Sequence, residues 1–312
     1  MDLPKEVQIK YSGVSGGIAG CFTRMICQPL DVVKIRLQLQ VEPIDVISRS
    51  SKYRTIPQTV VRIFAEEGVM AFWKGHVAAQ MLSMMQGLTQ FAFYERFNRV
   101  LRESTLFEGH DRTRNFVCGA GSGSFATLIV MPLDVIRTRF VAQDSVGIYR
   151  NTLHAFEQIR YQEGIRGLYR GLGPAILQSA PLTGGQFMFY NLFGNVTKRI
   201  KDMPSEAMLA PIELLGCGAL SGICTKLLLY PLDLTKHRLQ IQGFSKGRQT
   251  FGQHFVCSNM LQCMHKTACE EGVRGLYKGI SPGLLKVGFS SAIFFTVYDE
   301  MLYVLNRKHN NY

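Results

Sequence analysis

The strongest constraint on this chain's fold is internal, because one short pattern occurs three times at intervals of about a hundred residues. Pro29, Asp31, Lys34 and Arg36 return as Pro132, Asp134, Arg137 and Arg139, and again as Pro231, Asp233, Lys236 and Arg238. A second pattern follows each copy. Glu67-Gly68 precedes Trp73, Lys74 and Gly75; Glu163-Gly164 precedes Tyr169, Arg170 and Gly171; Glu271-Gly272 precedes Tyr277, Lys278 and Gly279. Two linked motifs in three copies divide the chain into three tandem units, 1–105, 106–205 and 206–312.

Each proline motif closes an apolar, glycine-rich stretch, at 12–33, 115–136 and 213–234, long enough to cross a bilayer. A second apolar stretch follows each aromatic-base-glycine motif, at 77–98, 174–195 and 281–305. Six spans result, two per unit, which puts both termini on one side. Gly16 and Gly20, Gly119 and Gly123, and Gly218 and Gly222 have the four-residue spacing that lets membrane helices approach closely. Between the paired spans lie amphipathic segments such as Ile56 to Ala65, stopped by Glu67-Gly68; these predict short surface helices at one membrane face.

The net charge of +12 calls for an anionic partner: nucleic acid, anionic lipid or an anionic solute. Cations cluster just after apolar stretches, as at Lys34/Arg36, Arg137/Arg139 and Lys236/Arg238, and not on one basic face. That favours a polar path through a membrane over a nucleic-acid surface. The eight cysteines form no CxxC pair and read as packing thiols. His76, His154 and His237 are scattered and no HExxH occurs, so neither an enzyme nor a metal or cofactor site is expected. Asp2 and Glu6 and the lack of an apolar run at the start predict no secretory signal or Arg-rich presequence, so any organelle address is expected to be internal.

An aspartate with a cation three residues later is costly at the end of a membrane helix unless it pairs or faces water. The three sets can close a ring between repeats, or pair locally within each helix. Seven residues before each aspartate, two turns away on the same face, stand Arg24, Thr127 and Lys226. Two cations at bilayer depth suggest an anion site; snorkelling to the interface is the other reading.

With these residues in view, the sequence resembles the mitochondrial carrier family over essentially its whole length. Its pattern, Pro-x-acid-x-x-base-x-base followed by acid-Gly-x4-aromatic-base-Gly, is matched in all three units. The resemblance implies an all-α membrane protein of the mitochondrial inner membrane: six transmembrane helices with threefold pseudosymmetry, short amphipathic matrix helices, and termini toward the intermembrane space. It also implies alternating access by a monomer, with anionic lipid at the matrix face. A matrix gate would pair Asp31 with Arg137, Asp134 with Lys236 and Asp233 with Lys34. Gln38 and Gln240 match the family's glutamine braces, and Val141 holds the third brace position. The cytosolic gate would use Tyr94-Glu95, Tyr190 and Tyr298-Asp299, but its bases are replaced by Asn98, Gly194 and Leu302.

Within the family, three local runs resemble the subgroup that carries thiamine pyrophosphate: Ala71 to Gln80, Pro132 to Gln143, and Gly243 to Gln253. This implies a phosphorylated small molecule taken into the matrix in exchange for nucleotides, with coenzyme A or adenine nucleotides as the alternative cargo. Arg24 and Lys226 suit a diphosphate. Lys286 matches a cation on the sixth helix of several carriers of phosphorylated cofactors. Leu82 stands where nucleotide carriers commonly place an arginine. Gln80, Gln178 and Ser179 offer neutral hydrogen bonds to an aminopyrimidine, or bridge helices.

Overall fold

A computed structural model describes residues 5–42, 52–103, 111–143, 147–201, 204, 210–244 and 256–310. The run 245–253, which carries part of the third local likeness, lies outside them. The described residues form nine α-helices and one short 3-10 helix, with no strand. Six are long: α1 (Lys5–Leu39), α3 (His76–Glu103), α4 (Asp111–Ala142), α6 (Leu172–Ile200), α7 (Pro211–Gln240) and α9 (Ile280–Asn310). The shortest has 28 residues, about 42 Å at 1.5 Å per residue, against an apolar bilayer core of about 30 Å.

The long helices form a ring in which α3 lies along α4, α6 along α7, and α9 returns to α1. The three odd helices of the repeats, α1, α4 and α7, also meet one another. Large apolar side chains such as Phe22, Ile26, Leu88, Phe91 and Leu228 are exposed on the outside, where acyl chains would cover them. By length and hydropathy alone, two segments among the described residues qualify as spans, Thr113–Ala142 and Ile280–Met301. Helices α1 and α7 carry Arg24 and Lys226 inside their spans, which lowers their mean hydropathy.

Pro29, Pro132 and Pro231 lie within α1, α4 and α7. The helices continue through them to Leu39, Ala142 and Gln240, so each proline removes one backbone hydrogen bond without ending the helix. The short helices α2 (Ile56–Glu67), α5 (Thr152–Leu168) and α8 (Met260–Gly275) lie beside those ends. Their starts and stops are local. Thr55 and Asn151 cap α2 and α5 by accepting from the backbone N–H of Gln58 and His154. Gly68, Gly164 and Gly272 take φ of 78°, 70° and 72° and break the helical path directly after each glutamate.

Of the six spaced glycines only Gly123 comes against neighbouring helices, at Ser179 of α6 and Gln90 of α3. A side chain added at Gly16, Gly20, Gly119, Gly218 or Gly222 would meet nothing within 4 Å. Gly16 and Gly20 line a cavity instead. Close approaches fall elsewhere: Gly185 lies against Thr225, and Gly121 against Phe97. Gly13, Ser15 and Gly17 have the spacing of a hydrolase nucleophile turn, but they lie inside α1 and not on a strand-to-helix turn.

Candidate transport site

The ends of α1, α4 and α7 are joined in a cycle of ion pairs. Arg137 Nη2 lies 2.7 Å from Asp31, Lys236 Nζ 2.7 Å from Asp134, and Lys34 Nζ 2.6 Å from Asp233. Every pair links two repeats and none is local. Gln38 donates to Asp233 at 3.1 Å and Gln240 to Asp134 at 2.7 Å. Val141 is fully buried and contributes only its backbone carbonyl, to Arg36 Nε. Asp31 receives a second cation in place of a glutamine: Lys286 Nζ lies 2.8 and 2.9 Å from its two oxygens.

A second ring, which the motifs contained but sequence reasoning did not assign, lies just outside the first. Arg36, Arg139 and Arg238 are almost wholly buried. Each holds the glutamate of its own repeat, with Nη2 2.8, 2.9 and 2.9 Å from Glu67, Glu163 and Glu271. The same glutamates take Lys74, Arg170 and Lys278. Each arginine also donates through Nε to a carbonyl of the next repeat in the cycle, Val141, Gln240 or Gln38, at 3.2, 3.0 and 3.1 Å. Burial acts to raise the Glu67 carboxyl, but the hydrogen bonds from Arg36 and Lys74 hold it below the ordinary carboxylate range.

The aromatic-base-glycine motif completes the joint. Gly75, Gly171 and Gly279 all have positive φ, and an added Cβ would lie 3.0, 2.9 and 2.9 Å from the carbonyl oxygens of Arg137, Lys236 and Lys34. The glycine of each repeat therefore packs on the backbone of the gate cation from the next repeat. Glycine is required twice over, for the left-handed backbone and for the contact.

Behind the closed end lies a cavity of about 680 Å³. Arg24, Gln80 and Lys286 line it together with Ser290, Ser291 and Phe294. Arg24 Nε is buried with no hydrogen-bond partner. Gln80 also ties α3 to α1 by donating to the Cys21 carbonyl at 3.0 Å. Gln178 and Ser179 line a separate, smaller cavity with Thr127, Leu82, Asp134 and Lys236. Ser179 lies 3.2 Å from Ser124 across α4 and α6. Lys226 lines neither cavity; its ammonium donates to the Gly283 carbonyl at 2.6 Å, close to Lys34. The six candidate substrate contacts thus divide into three places.

At the opposite end the tyrosines are half-buried and the acids are exposed. Among the described residues, Glu95 and Asp299 enter no ion pair, and Tyr298 stacks on Phe294 with ring centres 6.1 Å apart. The cysteines are unpaired thiols. Cys257 and Cys263 are buried with Leu239 near α8, and burial, with Cys257 next to it, pushes the Cys263 thiol up to about 12. That suits packing and not thiolate chemistry.

A ring of six long helices in three repeats, pinched at one end by inter-repeat ion pairs and hollow behind them, is the architecture of a membrane solute carrier. The model of the mitochondrial carrier protein family matches residues 5–105, 110–201 and 208–309, and the chain belongs to that family of multi-pass inner-membrane transporters. Among its relatives, the bovine mitochondrial thiamine pyrophosphate carrier is 38% identical over 289 residues, covering 92% of this chain and 90% of the relative. The human protein of the same name is 37% identical over 298 residues, covering 94% and 92%. The Arabidopsis thaliana mitochondrial thiamine diphosphate carrier 1 is 32% identical over 305 residues, covering 91% of each.

Proposed function

We propose that this protein carries thiamine pyrophosphate into the mitochondrial matrix in exchange for a nucleotide, by alternating access, and that it is not an enzyme. The observation that carries the reading is the cavity floor. There Arg24 and Lys286 line one space of about 680 Å³ behind the ring of ion pairs. A diphosphate there meets Arg24 and competes with Asp31 for Lys286. Four relatives at 36–38% identity named for thiamine pyrophosphate support that cargo. Leu82, apolar and buried beside the second cavity, offers nothing to a longer phosphate chain.

In this reading each repeat, 1–105, 106–205 and 206–312, supplies one gate cation and one gate aspartate. The pairs Asp31–Arg137, Asp134–Lys236 and Asp233–Lys34 close the matrix side, with Gln38 and Gln240 as braces. Tyr94, Glu95, Tyr190, Tyr298 and Asp299 close the cytosolic side. Lys226 joins Arg24 in holding the diphosphate once the floor moves, and Gln80, Gln178 and Ser179 meet the aminopyrimidine. The carrier works as a monomer, binds no nucleic acid, and meets anionic lipid at its matrix face.

Uptake of labelled thiamine pyrophosphate into proteoliposomes preloaded with thiamine pyrophosphate, ADP, coenzyme A or nothing tests the reading. Saturable uptake that needs a preloaded partner is expected. Transport of labelled ADP or coenzyme A without thiamine pyrophosphate uptake would replace the cargo and keep the carrier.

A further inference from the structure

The three matrix-end pairs are chemically unequal. Asp134 is held by Lys236 and Gln240, and Asp233 by Lys34 and Gln38, one cation and one neutral donor each. Asp31 has no such glutamine, because Val141 occupies the position that Gln38 and Gln240 fill in the other repeats. Its second partner is Lys286, which reaches across from α9 and touches both carboxylate oxygens. Among these cations Lys286 is also the most open: its side chain is 28% exposed, against 11%, 18% and 13% for Arg137, Lys236 and Lys34. It faces the cavity that Arg24 lines.

We infer that Lys286 is the brace of the third pair, and that it is a releasable one: an anionic group arriving in the cavity draws Lys286 off Asp31 and so loosens the Asp31–Arg137 pair before the other two. A glutamine brace is neutral and gains little from a phosphate. An ammonium shared between a carboxylate and an open cavity gains a second anion, and its hold on the first weakens in proportion. Opening of the matrix end therefore starts at the contact of α1 with α4. The release half of the inference rests on the anionic cargo proposed above; the brace half needs no cargo.

The test is the thermal melting of purified carrier in detergent, without ligand and with inorganic pyrophosphate or thiamine pyrophosphate. Lys286→Gln and Lys286→Ala are compared with Lys286→Ala/Val141→Gln. Without ligand, Lys286→Ala is expected to melt lower by roughly 4 °C or more, since a buried carboxylate loses a charged partner. Adding Val141→Gln is expected to restore most of that loss, because glutamine at 141 can reach Asp31 as Gln240 reaches Asp134. Val141→Gln with Lys286 intact should melt higher than wild type and exchange substrate more slowly.

An empty Lys286→Ala carrier that melts like wild type would overturn the brace, as would a loss that Val141→Gln leaves unrepaired while Val141→Gln alone is folded. For release, pyrophosphate or thiamine pyrophosphate should shift the melting of wild type more than that of the doubly substituted carrier; equal shifts in both would overturn it. If neither ligand shifts wild type, the cargo assignment fails and release by a diphosphate fails with it, while the ligand-free comparison still decides the brace.

Discussion

The two ends of the bundle are built on different physics. The end proposed to face the matrix is a double ring: three inter-repeat ion pairs, and outside them three buried arginines that each bind the glutamate of their own repeat and two carbonyls of the next. At the opposite end, proposed to face the cytosol, Glu95 and Asp299 stand exposed without ionic partners among the described residues, beside half-buried tyrosines. Charged groups held out of water bind strongly only when geometry is good, and removing one strands the rest; exposed groups cost and contribute little. The contrast teaches which end needs help to open. In the function proposed above, a carrier whose matrix end is the tighter one would rest closed to the matrix, and the entering solute would supply the energy that separates the pairs.

The largest effect should come from the outer ring. Arg139→Ala leaves Glu163 with only the partly exposed Arg170 as a cation and strands the carbonyls of Gln240 and Gln242, which should cost about 3 kcal/mol of stability, read as loss of folded carrier on heating; an unchanged melting curve would erase the difference between the ends. Next, Arg24→Gln should keep the fold but lower thiamine pyrophosphate uptake roughly 10- to 100-fold, the scale of a lost hydrogen bond to a charged group. Adding Lys226→Gln should abolish uptake, and normal transport by the double variant would remove the anion site. A smaller change is expected from Gln240→Ala, which should weaken the Asp134–Lys236 pair by about 1–2 kcal/mol, seen as lower melting of the empty carrier and faster opening to the matrix. Smallest of all, bases restored by Asn98→Lys and Gly194→Lys should add about 0.2–1 kcal/mol each to closure of the cytosolic end, measured as slower return to the cytosol-open state. A large effect there would mean that the cytosolic end is also held by charge.

The repeat made much of this readable. Asp31, Asp134 and Asp233 recur in phase with their cations, and the family pattern names the partner in the next repeat. Gly68 ends α2, and Gly164 and Gly272 kink α5 and α8, because only glycine takes their backbone angles cheaply. Other features were hidden. Gly16 and Gly20 have the same spacing whether a helix packs on a neighbour or lines a cavity, so the motif alone misplaced them. Arg36 looked like one more cation in a cluster, since nothing local reveals that its guanidinium spans Glu67 and the carbonyl of Val141. Lys286 lies 255 residues from Asp31, and helical phase along α9 does not place its ammonium. Only the closed ring brings α9 back to α1.

Charge exchange across one pair tests the central claim, that inter-repeat ion pairs at the matrix end must make and break for solute to cross. Asp134→Lys and Lys236→Asp are measured singly and together for uptake into loaded proteoliposomes. Each single variant is predicted to lose most uptake, because two like charges then face each other, and the exchanged pair is predicted to regain a large part of it. Single variants that transport normally, or a folded exchanged pair as inactive as either one, would contradict the account.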